Sequence, residues 1–444
     1  MTSVPASGDA TAPVIRRALH YAPAAAAALG LLAYGSIYAW HLSDRPIRSD
    51  GVSYYEYLPA WIADGDPTFE TLALDCCAGY DVEEPVGIHR RPESGRWLAV
   101  HPMGVAVLML PFFLVAHVLS WWSNLPRDGF SLYYQYIVGA AGLAYFVAGL
   151  VVLRRVLRLH FGDGVVLATL VAITFGTNLF HYAVFDSTFS HAFSFFLIAS
   201  LLLLVEDWWT APTLRRSIAL GVVSGLIVLV RHTNGVFLAI VPCYGVSRWS
   251  DLAANGARLW HRRRLVMVTM AAAGVCVLPQ LLVYKWASGH WIVNSYPEGS
   301  FSFAAPHLVG TMFSVERGLF FWSPVLLLAI PGMFVATGWA RGLVAPTVGV
   351  LAIVTYLMAS WFMWDLGAGF GHRGYTDALS LFAVYLASVF AWTARRPRLA
   401  PWVAGAVVLL VALSTFQMWQ YWNGLVPMEH TTWTQYRAAF LRLR

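Results

Sequence analysis

Ser49-Asp50-Gly51-Val52-Ser53-Tyr54-Tyr55-Glu56-Tyr57 is the stretch best equipped for chemistry. It follows directly on the first long apolar run, so its carboxylate falls where water meets lipid. An ionised group there is costly unless it has a partner or a task. Asp50 either caps an interfacial helix beginning near Val52 or acts as a general base beside a lipid-borne substrate. Phe185-Asp186 and His191 place an acid and an imidazole at opposite ends of one short turn. They are either local hydrogen bonding at a helix start or a second acid–base pair facing Asp50. Arg231 interrupts the apolar run Leu226-Ile227-Val228-Leu229-Val230. A guanidinium binds phosphate through two parallel hydrogen bonds, which makes a lipid-linked phosphate its natural partner. Arg373, in Gly369-Phe370-Gly371-His372-Arg373-Gly374-Tyr375, has a similar setting, with glycines that let backbone approach a ligand. His101-Pro102-Met103-Gly104 has the form of a helix start, with ligand contact by His101 as the second reading. His232 and His372 flank the two arginines. Together with Arg317, Tyr54, Tyr55 and His101 they complete the candidate substrate- and phosphate-binding set.

Other chemistries lack their residues. No metalloprotease, nucleophile-elbow, phosphate-loop or dinucleotide fingerprint occurs in a fitting context. The acids could hold a divalent cation, but no spacing requires one, and no metal ligand is assigned. Cys76 and Cys77 are adjacent, while Cys243 and Cys276 fall in apolar runs. That is no disulfide framework, although a vicinal Cys76–Cys77 bridge is conceivable. Between 295 and 324, aromatics mix with Ser, Asn and Glu. Such a mixture suits sugar stacking with hydroxyl recognition, and equally an interfacial belt.

The elements that must position these residues are membrane helices. Of 444 residues, 58% are hydrophobic and 12% charged, against about 25% charged in soluble domains. The net charge of +6 is modest and reports orientation rather than nucleic-acid binding. The Ala-rich start after Arg16-Arg17 is expected to be a retained signal anchor. Spans are expected at 21–41, 132–153, 164–183, 192–206, 217–230, 235–247, 265–286, 319–337, 343–362, 378–394 and 401–421. This gives about eleven crossings, with the N-terminus cytoplasmic. Every basic run (154–158, 215–216, 248–264, 341, 395–398) then lies inside. Residues 101–122 are apolar, but counting them as a crossing would put Arg154, Arg155 and Arg158 outside. They are therefore expected to be interfacial or re-entrant, within a first outer loop of 42–131. That loop holds twelve of the 23 Asp and Glu. A second outer loop is expected at 287–318. The chain is expected to be one all-α integral-membrane domain with no separate soluble module.

Under this topology Asp50, Asp186, His191, Arg231, His232, Arg317, Asp365, His372, Arg373 and Asp377 all sit at outer helix ends. A solute pathway would instead need ionisable positions near mid-membrane and two related halves. A transporter or flippase of lipid-linked sugars is accordingly the second reading.

The pieces, in order, resemble the membrane glycosyltransferases of the C-type fold, especially bacterial members that use polyprenyl-phosphate sugars. Carrying the resemblance are Ser49-Asp50-Gly51-Val52-Ser53-Tyr54-Tyr55, Val100-His101-Pro102-Met103-Gly104, Gly176-Thr177-Asn178 running to Ser190-His191-Ala192, and Val230-Arg231-His232-Thr233-Asn234. Gly318-Leu319-Phe320 with Ser323-Pro324, and Phe370-Gly371-His372-Arg373, complete it. The resemblance implies Asp50 as general base on an acceptor hydroxyl, assisted by Asp186 and His191. It implies inversion at the anomeric carbon and basic residues, here Arg231 and Arg373, stabilising the departing phosphate. The implied partners are a polyprenyl-phosphate sugar donor, membrane lipids and a glycan, lipid or protein acceptor at the outer face of the cytoplasmic membrane. The chain departs from the larger members in lacking a sizeable C-terminal soluble domain. It has no Asp-x-Asp at Asp50, although Asp64-Gly65-Asp66 follows.

Overall fold

A computed structural model describes residues 12–41, 45–75, 87–296 and 299–443. Cys76, Cys77, Asp44, Asp81, Glu83 and Glu84, like Pro297, Glu298 and Arg444, lie outside the described residues, so the vicinal bridge is not addressed.

The chain is mostly helical. In order come α1 (Ala12–Gly35), α2 (Asp50–Tyr55), the short antiparallel pair β1 (Ile88–Arg90) and β2 (Trp97–Ala99), α3 (Gly104–Trp122), α4 (Ala141–Arg158) and α5 (Asp163–Phe175). These are followed by α6 (Leu179–Val184), α7 (Ser190–Thr210), α8 (Leu214–Val230), α9 (Trp249–His261) and α10 (Arg263–Ser288). Last come α11 (Val344–Ser360), α12 (Leu379–Ala394) and α13 (Ala400–Trp422). Among the described residues six helices are long and apolar enough to cross a membrane: Gly104–Trp122, Tyr134–Arg158, Ser190–Thr210, Arg263–Ser288, Arg373–Ala394 and Ala400–Trp422. With backbone hydrogen bonds satisfied inside each helix, such segments need no water. This is a helical membrane protein.

Close packing depends on small residues at helix contacts. Gly221 and Gly225 of α8 are four apart and face α10. A Cβ on them would lie 2.3 Å from the Thr269 carbonyl oxygen and 2.7 Å from that of Ala273. This is the small-xxx-small device of membrane helices, where backbone approach replaces a hydrophobic driving force. On α4, Leu143, Phe146, Leu150, Leu153 and Leu157 are buried at the three-and-four spacing of one helix face. Gly149, on that helix, receives the Phe195 ring of α7.

Several expected spans take a different form. Residues 235–247 form a 3-10 stretch, His232–Ile240, followed by turns rather than a helix. Residues 319–337 break at Ser323-Pro324 into short pieces, since proline has no N–H to continue the first one. Span 164–183 breaks after Phe175 and resumes as α6.

Residues 104–122 form one continuous helix, long enough to span. Its start lies against the end of α8, where Gly104 meets the Leu229 backbone. Near its end, His117 Nδ1 is 2.6 Å from the hydroxyl of Tyr134, which precedes α4. The start of α4 is in turn tied to the segment before α2 and the α6–α7 turn: Gln135 Oε1 accepts from the Ile47 N–H at 3.1 Å, and Ser187 Oγ donates to the Gly139 carbonyl at 2.6 Å. Both ends of α3 thus abut helix termini that border the polar cluster described next.

Candidate functional site

Three aspartates and three arginines from distant parts of the chain meet at one end of the bundle. Asp50, first residue of α2, pairs through Oδ2 with Arg373 Nη2 at 3.1 Å. Asp186, in the α6–α7 turn, pairs with Arg48 at 3.2 Å. Asp377, in the 3-10 turn Arg373–Ala378 leading into α12, pairs with Arg231 at 3.4 Å. Arg231 is where α8 stops being helical, with φ −152° and ψ 120°, so its side chain leaves the helix axis at the cluster.

Each pair has a different retinue. Asp377 is 1% exposed and accepts from His191 Nδ1 at 3.0 Å and Asn234 Nδ2 at 2.8 Å besides Arg231. Asp186 accepts from His181 Nε2 at 2.9 Å. Trp422 Nε1 donates to His181 Nδ1 at 2.9 Å, which fixes the proton of this imidazole on Nε2. Arg48 lies over the Phe185 ring at 4.5 Å. Among the described residues Asp50 pairs with Arg373 alone, and its side chain is 33% exposed. Burial pushes the Asp50 carboxyl up, but Arg373, then His101 and His191, more than offset this and hold it below the usual carboxylate range.

Beside Asp50, His101 is clasped by the Ser53 hydroxyl at Nδ1 and by the Tyr296 hydroxyl at Nε2, the latter at 2.9 Å. The Tyr54 ring lies 3.9 Å from it. Burial pushes the His101 imidazole down to about 4, so it is neutral near pH 7. His101 therefore does more than start a helix: it joins α2 to the 291–296 loop.

Not every expected residue joins this group. The Tyr55 hydroxyl donates to the Gly129 carbonyl, and its ring packs on Phe113 and Phe130, facing away from Asp50. Tyr55 is therefore packing, not lining. Arg317 is buried and spends its guanidinium on the carbonyls of Glu316, Gly367 and Met428 and on the Thr431 hydroxyl. It braces loops instead of facing the cluster. His232 is exposed, with its ring tilted at 60° to that of Tyr284, 5.8 Å away. His372 is fully buried, with Nε2 on the Trp364 carbonyl at 3.0 Å and Nδ1 unpartnered. It positions the loop that carries Arg373. Asp66 of Asp64-Gly65-Asp66 accepts from the Thr68 and Thr71 N–H groups, each at 2.8 Å, a turn-closing role.

Residues to which the sequence analysis assigns no site role are Arg48, His181, Asn234, Tyr296 and Asp377, the last appearing there only among the outer helix ends. Four of these lie within five positions of a residue it singled out: Arg48 before Asp50, His181 before Asp186, Asn234 after Arg231, Asp377 after Arg373. A second polar residue within a turn of the first was the available signal.

Among the described residues one group has metal-ligand types within reach of each other: Glu316, Asp365 and His430, whose ligand atoms lie within 4.8 Å of one another. It borders the 364–372 loop and lies outside the three ion pairs. A cavity of about 350 Å³ lies away from the cluster, between Trp209, Tyr244, Asn255 and Arg258. The crevice at the cluster, bounded by Arg231, Asn234, Val354, Leu357 and Met358, holds only about 10 Å³. Of the paired residues Arg231 alone lines this crevice, and Val354, Leu357 and Met358 lead from it along α11.

Fold and site together define a helical membrane protein with a charge-balanced acid–base and guanidinium cluster at one end of its bundle. Comparison with family models, with characterised proteins and with solved structures gave no match.

Proposed function

We propose that this chain is an inverting glycosyltransferase of the C-type membrane fold. It moves a sugar from a polyprenyl-phosphate donor to an envelope glycan, lipid or protein at the outer face of the cytoplasmic membrane. About eleven segments cross, with the basic helix ends inside. The observation that carries the reading is convergence. Asp50, Asp186, Arg231 and Arg373, spread over more than 300 positions of sequence, share one cluster beside a crevice with one apolar wall, Val354, Leu357 and Met358. A phosphate at Arg231 and Arg373 would place its polyprenyl chain along Val354 and Leu357.

In the reaction the acceptor oxygen attacks the anomeric carbon as its proton passes to Asp50. The bond from that carbon to the phosphate oxygen breaks, and polyprenyl phosphate leaves with the electron pair. Arg373 and Arg231 stabilise the growing charge on the phosphate. His191 and Asn234 hold Asp377, which in turn holds Arg231. Asp186 and His181 keep Arg48 against the α6–α7 turn. A transporter gains nothing from this arrangement, because the ion pairs gather at one end of the bundle.

The test is release of polyprenyl phosphate by the purified chain in nanodiscs, offered a panel of polyprenyl-phosphate hexoses and pentoses with mixed envelope acceptors. Asp50→Asn should lower turnover about 10²–10⁴-fold, the usual worth of a positioned general base. Near-native turnover in that variant, or no release from any donor, would overturn the reading.

A further inference from the structure

We propose that the Asp50–Arg373 ion pair is a clasp that a substrate phosphate must open before Asp50 can accept a proton. Binding of the phosphorylated donor then precedes activation of the acceptor. The inference rests on the glycosyltransferase reading and adds an order of events to it.

The three ion pairs of the cluster are unequal. Asp377 is held by three side chains and almost fully buried; Asp186 is held by two, with 10% of its side chain exposed. Among the described residues Asp50 is held by Arg373 alone, and a third of it faces solvent. Arg373 is less exposed, at 16% of its side chain, but is lightly held. Its other polar and ring partners among the described residues are the Ala368 carbonyl, a hydrogen bond of 3.4 Å, and the Phe189 ring at 5.4 Å. Its loop turns through Leu366, Gly367 and Gly371, at φ of 62°, 68° and 64°. Partly exposed ion pairs are weak, whereas a guanidinium bound to phosphate through two parallel hydrogen bonds is strong. An arriving phosphate therefore takes Arg373 from Asp50 and leaves the other two pairs intact.

Two consequences follow for the chemistry. While clasped, Asp50 is a poor base, because its charge is already stabilised by the guanidinium. Once Arg373 turns to phosphate, burial acts on Asp50 with less opposition and raises its affinity for a proton. Arg373 thus serves the phosphate and the base in sequence, and an acceptor hydroxyl that arrives first meets an occupied carboxylate.

The competition is measurable as binding. The full chain in nanodiscs is titrated with farnesyl phosphate, with farnesol as uncharged control and inorganic phosphate to separate lipid-borne from free phosphate. Freed of its competitor, Arg373 should bind farnesyl phosphate about fivefold more tightly in Asp50→Asn and in Asp50→Ser. Arg373→Gln should weaken binding at least about tenfold. In the double variant Asp50→Asn/Arg373→Gln the gain should vanish, and farnesol should bind all forms alike. Unchanged or weaker binding in both Asp50 variants, alongside a loss in Arg373→Gln, would refute the clasp while leaving the phosphate site standing. If no form prefers farnesyl phosphate to farnesol, the glycosyltransferase reading fails and the clasp with it. Equal competition by inorganic phosphate would mean that the lipid chain contributes nothing, which also contradicts the donor-first order.

Discussion

Asp377→Asn probes the most deeply set of the three pairs. The carboxylate takes three donors: His191 at 3.0 Å, Asn234 at 2.8 Å and Arg231 at 3.4 Å. An asparagine there keeps one oxygen, which can still accept from His191. Its new amide group would face Asn234 and Arg231, donor against donor. Removing one partner of a buried pair costs about 3–5 kcal/mol, because the other charge is left uncompensated. Arg231 keeps 19% of its side chain exposed and its contact is the longest of the three pairs. Water takes over part of the loss, which argues for the lower end, about 3 kcal/mol, or roughly 150-fold in the folded ratio. Thermal unfolding in nanodiscs, followed by tryptophan fluorescence, should show a drop of roughly 3 °C or more. Asp377→Asn/Arg231→Gln should recover much of that drop, since the stranded charge is gone, and a double-mutant cycle would show the coupling. A single variant within about 1 °C of the parent, or a double variant that loses the sum of both singles, would refute the hub role of Asp377.

Two further substitutions test the frame around the cluster. Gly104→Ala would put a methyl 2.3 Å from the Leu229 carbonyl carbon and 2.4 Å from its oxygen, and backbone cannot swing aside. It should cost about 1–3 kcal/mol, whereas Gly256→Ala in α9, where a Cβ meets nothing within 4 Å, should be neutral or mildly stabilising; equal melting temperatures for the two would contradict the packing of α3 on α8. Glu56 is 1% exposed with Oε2 unpartnered, and burial raises its carboxyl well above the ordinary range. Its contribution to stability is whole below the ordinary carboxylate pKa, about 4.3, and is lost as pH rises from there through the raised folded value. Glu56→Gln should therefore match the parent in acid and exceed it at neutral and alkaline pH; melting curves that run parallel across pH would show that Glu56 is not held protonated.

Much of the site was legible because charges stand out against an apolar chain. Asp50, Asp186, His191, Arg231 and Arg373 were visible one by one, each at the end of a hydrophobic run. Their pairing was not visible. Arg231 finds its acid 146 positions away, and nothing in local spacing says that Asp377, rather than Asp50, is that acid. Hydroxyl and ring directions were equally hidden: Tyr54 and Tyr55 are adjacent, yet one lies on His101 and the other on Phe113 and Phe130. Helix existence was clear from apolar length, but form was not. Uniformly apolar segments lack the periodic contrast that marks a face, so the 3-10 stretch at 232–240 and the break near Phe175 left no strong trace, whereas Pro324 did mark the break near Ser323.

The Arg317 fork has a mechanical consequence. By holding the carbonyls of Gly367 and Met428 and the Thr431 hydroxyl at once, it fastens the stretch that bears Arg373 to a segment more than fifty residues downstream. Slack introduced near Thr431, by a lipid, a neighbouring protein or a substitution, would reach the clasp arginine without touching it. The stretch around Thr431 is in that sense a remote tensioner for the end of the molecule that carries the ion pairs.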